Sequence, residues 1–309
     1  MSNRRDFFKQ SGSLALGSLL LARNSNLFSD LNKKAIHVAG VQLYTVTGLM
    51  DKDTKDTLQK IAAIGYKEVE SAFSRKGGYY GMKPKEFARM VSDVGLSWQS
   101  HHVGGAPFKL PPGAKPPVDA SGKPIVFPPM KNLKENHQEI VDEAAEGGVN
   151  YLVCASIPLS TLDEIKEAID ILTRTGEACK KAKITLAYHN HTHEFEKVDG
   201  EMPYDLLLSQ TNADILKMEL DLGWATKAGV DPVALFTKSP GRFPLWHVKD
   251  INKDTKNPTE VGNGYVDFKR IFENEKIAGM KHFFVEQDNA PQPLENIATS
   301  FNNLKKFLV

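Results

Sequence analysis

The chain has 309 residues, of which 41% are hydrophobic and 25% are charged, a composition typical of a soluble globular protein. Its 39 Lys and Arg against 38 Asp and Glu leave no basic field of the kind that binds nucleic acid. The length suits one large domain, since an α/β barrel takes about 250 residues. Two cysteines, Cys154 and Cys179, provide no disulfide framework, and we expect both to be small core residues.

The first 34 residues are predicted to be an export segment. Arg4 and Arg5 are adjacent, and residues 11–22 form a weakly apolar, leucine-rich stretch. This arrangement resembles a twin-arginine export signal, so we expect a periplasmic or otherwise exported protein. The apolar stretch is shorter than the roughly 20 residues of a membrane span, so no stable membrane anchor is expected. We therefore divide the chain into residues 1–34, an export signal and linker with an open cleavage site, and residues 35–309, the main domain.

Beyond residue 37, strand-like and helix-like runs alternate, which is the pattern of βαβ architecture. The predicted strands are 38–44, 68–71, 97–101, 151–155, 185–189, 216–221, 245–249 and 282–286. The predicted helices are 54–64, 84–94, 133–146, 162–180, 204–209, 232–236, 268–275 and 293–307. Eight strands and eight helices in strict alternation predict an α/β fold closed into a (β/α)8 TIM barrel.

One segment interrupts this alternation. Residues 104–130 contain eight prolines and follow the third predicted strand, so they belong to the face on which the strands end. Loops of this length in compact domains are usually functional or disordered. A lid over the substrate and an ordered insertion both remain open.

Acidic and imidazole side chains end the last four predicted strands. In a parallel barrel these strand ends meet at one face, where catalysis takes place. Carboxylates and imidazoles are the usual ligands of divalent cations in proteins. The sequence therefore predicts a divalent-metal site at this face, with candidates His189, His191, Glu194, Asp221, His247 and Glu286.

The motifs that carry these residues are YHNHTHEF at 188–195, LDLGW at 220–224, HVKD at 247–250 and VE at 285–286. Together they resemble the xylose isomerase-like TIM barrel superfamily, the sugar phosphate isomerase/epimerase family, in its HNHxxEF subgroup. The resemblance runs from about residue 37 to the C-terminus. It implies one divalent ion, commonly Mn, Mg, Co or Zn, bound by Glu, Asp, His and Glu at the ends of the fifth to eighth strands. Asp221, His247 and Glu286 match the last three of these ligands.

The first ligand departs from the family pattern, because His189 stands where many members have Glu. His191 and Glu194 are the other possible ligands. We expect Glu194, since an oxygen donor keeps the set suited to Mn or Mg. With His189 instead, two imidazoles and two carboxylates shift the preference toward Zn, Co or Fe.

A divalent ion with open positions can chelate adjacent sugar oxygens and stabilise the enediolate left when the carbon beside a carbonyl loses its proton. The resemblance thus implies a sugar isomerase or epimerase, with Glu286 and Glu194 as the acid/base pair. His189 is an alternative base, because imidazole titrates near working pH. The expected substrate-binding residues come from other strand ends and from the motifs above: Glu70, His101, His191 and Lys249.

The predicted export favours a different reaction on the same metal site. Phosphorylated sugars are cytoplasmic, so an exported enzyme suits a free sugar or a 3-keto-glycoside, and a keto-glycoside lyase acting by β-elimination is the main alternative. A non-catalytic sugar-binding protein is less favoured, because binding alone does not require this set of ligands. An endonuclease IV-like nuclease would need a basic groove. The expected partner is a small-molecule sugar or keto-glycoside, and the oligomeric state is not predicted.

Overall fold

Eight parallel strands close into a barrel in the computed structural model, which describes residues 38–107 and 130–308. The barrel strands are β1 (Ala39–Gln42), β2 (Glu68–Ser71), β3 (Ser97–Gly104), β4 (Tyr151–Ser156), β5 (Thr185–His189), β6 (Leu216–Asp221), β7 (Leu245–Val248) and β8 (His282–Val285). Each strand pairs in parallel with the next, and β1 closes the barrel against β8, with Val41 opposite Val285. The predicted (β/α)8 TIM barrel is confirmed. The predicted export segment and most of the proline-rich segment lie outside the described residues.

Helices follow the strands along the chain. They are Thr47–Lys52, Thr54–Ile64, Pro84–Asp93, Leu133–Gly147, Leu162–Lys181, Pro203–Gln210, Leu222–Lys227, Pro232–Lys238, Phe268–Phe272, Glu275–Ala278 and Pro293–Leu304. The longest begins at Thr161, whose hydroxyl caps the backbone N–H of Glu164, and it buries Ile165, Ile171 and Leu172 on one face. Among the described residues, no helix is both long and apolar enough to cross a membrane.

Most predicted elements are confirmed to within a few residues, and the departures have local causes. The predicted helix 268–275 is two short helices, Phe268–Phe272 and Glu275–Ala278. Leu222–Lys227 was not predicted, because it begins directly after β6 and Asp221 serves as its N-cap. A small antiparallel ribbon, Asp250–Ile251 with Pro258–Thr259, was also missed. Cys154 and Cys179 are buried free thiols, as expected.

The interior of the barrel contains a small apolar layer separate from the main core between strands and helices. This layer consists of Val153, Ala187, Leu245 and Phe284, with Tyr151 packed against it. Side chains two residues apart on a strand point to the same side. Residues 189, 247 and 286 therefore project into the same interior, one step closer to the C-terminal face, and the apolar layer forms the floor of the site.

Candidate metal centre

His247 lies at the centre of a buried cluster of polar side chains. Its Nδ1 is 2.8 Å from Glu286 Oε2 and 3.9 Å from Asp221 Oδ2. Its Nε2 is 2.6 Å from Glu70 Oε1 and 3.2 Å from Glu219 Oε2. One ring nitrogen of His247 thus faces the carboxylates at the mouth of the barrel, and the other faces carboxylates deeper inside.

His189 completes the group at the mouth. Its ring centroid is 4.4 Å from that of His247. One potential ligand atom from each of His189, Asp221, His247 and Glu286 lies within 4.8 Å of the other three. These residues end four consecutive strands, so the barrel itself brings the four atoms together.

Lys249 provides the positive charge at the mouth. Its side chain is buried, and Nζ lies 3.0 Å from Asp221 Oδ2, 2.8 Å from Glu286 Oε2 and 2.5 Å from Asp288 Oδ2. Burial alone would raise the pKa of Glu286, but the charges of Lys249 and His247 hold that pKa well below its usual range. Glu286 is therefore an ionised carboxylate at neutral pH.

A second layer of polar residues supports His247 from below. Glu70 is fully buried and contacts His102 Nε2 at 3.0 Å as well as His247, and it accepts a hydrogen bond of 2.6 Å from Gln42 Nε2. Burial opposes the charge of Glu70, but His102 and His247 lower its pKa below the ordinary value. An ionised Glu70 can accept a hydrogen bond from the Nε2–H of His247 and so leave Nδ1 free to bind a cation, a common arrangement behind metal-bound histidines.

Glu219 and His102 belong to this layer and were not among the predicted site residues. Glu219 Oε2 lies 2.6 Å from His102 Nε2 and 3.3 Å from His189 Nδ1. Burial, together with the charge of Glu70, raises the pKa of Glu219. The carboxylates of Glu70 and Glu219 raise the pKa of His102 to about 9, although burial alone would lower it. The sequence carried a signal for Glu219, because it precedes Asp221 by two residues and shares its side of the strand.

Glu194 lies in a different group from Asp221, His247 and Glu286. Its Oε1 accepts a hydrogen bond of 2.8 Å from the Tyr188 hydroxyl, and its Oε2 accepts one of 2.8 Å from the backbone N–H of His191. His193 Nε2 is 3.3 Å from Oε1, and the possible cation ligands near Glu194 are His191 and His193. Both oxygens of Glu194 thus stabilise the turn after β5. The structure brings His189 to the position where the sequence favoured Glu194.

The predicted substrate-binding residues fall in three places. Glu70 lies at the base of the cluster and is buried, whereas His191 is partly exposed and lines a cavity of about 670 Å³ that opens beside the cluster. His101 lines the same cavity, with Nδ1 2.8 Å from Ser71 Oγ, and burial lowers its pKa to about 3. Lys249 contacts the carboxylates at the mouth, as described above.

The donor set at the mouth fits a divalent cation. Two imidazoles and two carboxylates are ligands for Zn, Co, Fe or Mn. Asp221 Oδ2 is buried and accepts no well-formed hydrogen bond, although Lys249 Nζ is 3.0 Å away. Burial, with the charge of His247 adding to it, holds the pKa of His189 well below its usual range, so its imidazole is neutral as ligation requires. The carboxylates raise the pKa of His247 despite burial, so a cation must displace its proton.

Comparisons with known proteins agree with this fold and site. No protein-family model matches the chain. Curated relatives are named inosose dehydratase. The one from Geobacillus thermodenitrificans (strain NG80-2) is 27% identical over 153 residues, 43% of this chain and 51% of the relative. The one from Geobacillus kaustophilus (strain HTA426) is 29% identical over 265 residues, 74% and 77% of the two chains. The chain thus spans about half the length of the first of these relatives.

Among solved structures, a sugar phosphate isomerase/epimerase from Parabacteroides distasonis ATCC 8503 has a TM-score of 0.70 and 26% identity over 89% of this chain and 95% of that chain. The IOLI protein with a bound zinc atom has a TM-score of 0.63 and 16% identity over 87% and 97%. L-ribulose 3-epimerase has a TM-score of 0.63 and 13% identity over 88% and 95%. At these identities the last two show the common fold alone.

The predicted resemblance to xylose isomerase-like barrels is confirmed, because the structural neighbours of the chain are proteins of this kind. Its relatives and neighbours include isomerase, epimerase and dehydratase enzymes. The buried cluster of His, Asp and Glu is compatible with the predicted divalent metal.

Proposed function

We propose that this protein removes the proton beside the carbonyl of a keto-sugar at a divalent metal centre formed by His189, Asp221, His247 and Glu286. The observation that carries the proposal is the convergence of their four ligand atoms within 4.8 Å at the mouth of the barrel. These four residues would hold a divalent cation, which would supply a Lewis acid beside the substrate carbonyl. The adjoining cavity is lined by His189 and Glu286 and so admits a small molecule to the edge of the cluster.

The side chains around the cluster take distinct roles in this proposal. Glu286 is ionised and faces the cavity, so it accepts the proton from the carbon beside the carbonyl. His189 is neutral and serves as the first ligand, with a role as base as the alternative. Lys249 neutralises the carboxylates of Asp221, Glu286 and Asp288 at the mouth of the barrel. Glu194 positions His191 at the cavity wall through the hydrogen bond to its backbone.

Elimination is the net reaction we favour. The curated relatives are named dehydratases, and a dehydratase removes water from the carbon next to the one that loses the proton. The resemblance implies that an epimerase or isomerase of this fold uses two carboxylates that flank the metal. Here His189 stands in place of one of them, and both oxygens of Glu194 are engaged elsewhere. Isomerisation or epimerisation is the second candidate, favoured by the likeness to the P. distasonis sugar phosphate isomerase/epimerase.

Metal analysis of the purified protein tests the site. We expect one divalent ion per chain, and Asp221→Asn should lose it while keeping the fold. Asn preserves the side-chain oxygen that accepts a hydrogen bond from the Trp224 backbone N–H at 2.7 Å. Asp231→Asn is the matched control, since Asp231 caps another helix and is partly exposed. Full metal occupancy in Asp221→Asn would place the site elsewhere. Metal-loaded protein should then convert a keto-sugar to an unsaturated product, whereas an isomerised product would favour the second candidate.

We further propose that the substrate is met outside the cytoplasm, because Arg4 and Arg5 open a segment that resembles a twin-arginine signal. A fusion of residues 1–34 to a folded reporter should be exported. Replacing both arginines with Lys should retain the reporter in the cytoplasm, and unchanged export of that variant would contradict the proposal.

A further inference from the structure

The cavity beside the metal centre is large for a single sugar ring. Its volume of about 670 Å³ lies within the range of pockets that bury drug-sized ligands, about 300–1,000 Å³. A pyranose that is chelated at the cluster fills only the part of the cavity next to His189 and Glu286. The rest of the volume is available to a substituent of the sugar.

The lining of the cavity combines polar and apolar side chains. Imidazoles and carboxylates lie beside the cluster, among them His102, His191 and Asp288. Strand β3 and the segments that follow β2 and β3 contribute the apolar residues, which we call the apolar arm: Phe73, Tyr79, Met82, Val103, Met130 and Ile140. Met130, 40% exposed, is the most exposed of these apolar side chains. The apolar arm therefore offers area for a hydrophobic group to cover.

Polar side chains near the apolar arm are already engaged with one another. Lys131 Nζ lies 2.7 Å from Glu139 Oε1 and 2.6 Å from Glu143 Oε1. Asn132 caps helix Leu133–Gly147, with Oδ1 3.1 Å from the backbone nitrogen of Glu135 and Nδ2 2.9 Å from that residue's carboxylate. A second sugar ring would bring hydroxyl groups that need partners, and an unpaired buried hydroxyl is costly. A hydrocarbon ring has no such requirement.

We propose that the apolar arm binds the hydrophobic, ring-bearing aglycone of a keto-glycoside whose sugar is held at the metal cluster. The inference rests on the proposed function and names its substrate class. The base takes the proton from the carbon between the carbonyl and the anomeric carbon. The electrons of that C–H bond form a C=C bond, and the C–O bond to the aglycone breaks. The departing oxygen takes up a proton, so an alcohol and an unsaturated keto-sugar result, without redox change.

The test compares benzyl and methyl keto-glucosides with the metal-loaded full chain. The two alcohols have similar acidity, so leaving-group ability is matched and only the arm distinguishes them. We expect the benzyl compound to have a KM lower by about tenfold, from the apolar area of its ring, at similar kcat. Equal kcat/KM for both compounds would overturn the proposal, and so would a preference for a keto-disaccharide over the benzyl compound.

Variants locate the effect. Met130→Asp should raise KM for the benzyl compound toward that of the methyl compound and leave the methyl constants unchanged. Met82→Ala, which adds no charge, should do the same to a smaller degree. Ile277→Asp is the matched control, since Ile277 is 43% exposed and does not line the cavity. A benzyl KM that is unchanged in both Met variants would contradict the proposal.

A binding measurement separates this inference from the proposed reaction. Calorimetry with unoxidised benzyl and methyl glucosides measures binding at the apolar arm alone, because these compounds lack the carbonyl that the reaction needs. Tighter binding of the benzyl compound without turnover of any keto-glycoside would support the arm and count against the reaction. Turnover of both keto-glucosides with equal binding of the two glucosides would support the reaction and overturn the arm.

Discussion

Replacing Lys249 with Met tests whether the internal ammonium group and a divalent ion compete for the same carboxylate oxygens. Lys249 Nζ is 3.0 Å from Asp221 Oδ2 and 2.8 Å from Glu286 Oε2, and these two residues are also proposed metal ligands. Methionine has nearly the same length and no charge. Lys249→Met should therefore lower the free energy of unfolding of the metal-free protein and raise the affinity of the protein for metal.

In the presence of a chelator, Lys249→Met should be strongly destabilised. The change leaves the carboxylates of Asp221, Glu286 and Asp288 without their shared counter-charge, and removing one partner of a buried ion pair costs about 3–5 kcal/mol. The same change removes a competitor for the cation. We therefore expect metal affinity to rise by at least about tenfold, which corresponds to about 1.4 kcal/mol.

Urea unfolding in chelator and titration with Zn or Co measure the two effects. Lys227→Met is the matched control, because both ammonium groups lie over the Trp224 ring, that of Lys227 at 4.8 Å and that of Lys249 at 4.6 Å. Lys227, unlike Lys249, is exposed. The control should change the free energy of unfolding by less than about 1 kcal/mol. Unchanged stability of Lys249→Met in chelator, or weaker metal binding, would refute the competition.

Two further predictions concern the layer below the cluster. Glu70→Gln should weaken metal binding by about 10–100-fold, because it removes the carboxylate that orients His247. Glu68→Gln is the matched control and should leave metal binding unchanged, because Glu68 lies on the same side of the same strand but contacts His282 Nδ1 at 2.8 Å. Isothermal metal titration compares them, and equal affinities would contradict the role of Glu70. The pKa of His102 is raised from the ordinary 6.5 to about 9. In chelator, the protonated imidazole therefore contributes up to about 3 kcal/mol to the free energy of unfolding below pH 6.5, and this contribution is lost as the pH rises through 9. Urea unfolding between pH 6.5 and 9 should show a steeper decline in the wild type than in His102→Gln, which keeps the raised pKa of His247, and parallel curves would contradict the role of His102.

The end positions of the last four strands could be predicted because each follows a strand-like run that is mostly apolar. Asp221, His247 and Glu286 lie at the ends of such runs, and the parallel barrel then fixes where they meet. The sequence pattern was sufficient for these three residues, because the residues that end the strands of a parallel barrel lie together at one face.

The choice between His189 and Glu194 could not be made from the sequence. It depends on the path of the chain after β5, where Asn190 Oδ1 accepts the backbone N–H of Asp221 at 2.9 Å. Glu194 then lies in the following 3-10 turn with both oxygens bound to Tyr188 and His191. The contact of Asn190 with Asp221 joins two residues that are 31 positions apart in the chain, so it has no local signature in the sequence.

Glu219 was missed for a different reason. It lies inside a strand, and an acidic residue within a strand is ordinarily exposed. In this barrel the interior near the C-terminal face is polar, so Glu219 finds His102 across the barrel at 2.6 Å. The helix Leu222–Lys227 was missed because Asp221 is at once the last residue of β6 and the N-cap of that helix.

The central claim is that the chain removes a proton beside a carbonyl, and solvent exchange tests it most directly. Metal-loaded protein is incubated with keto-sugars, keto-glycosides and free ketoses in deuterated water, and the carbon beside the carbonyl is followed by NMR. We expect deuterium at that carbon no later than net product appears, and none with Asp221→Asn. If metal-loaded protein binds these compounds but neither exchanges that proton nor forms product from any of them, the chain is a sugar-binding protein and the enzymatic account is wrong.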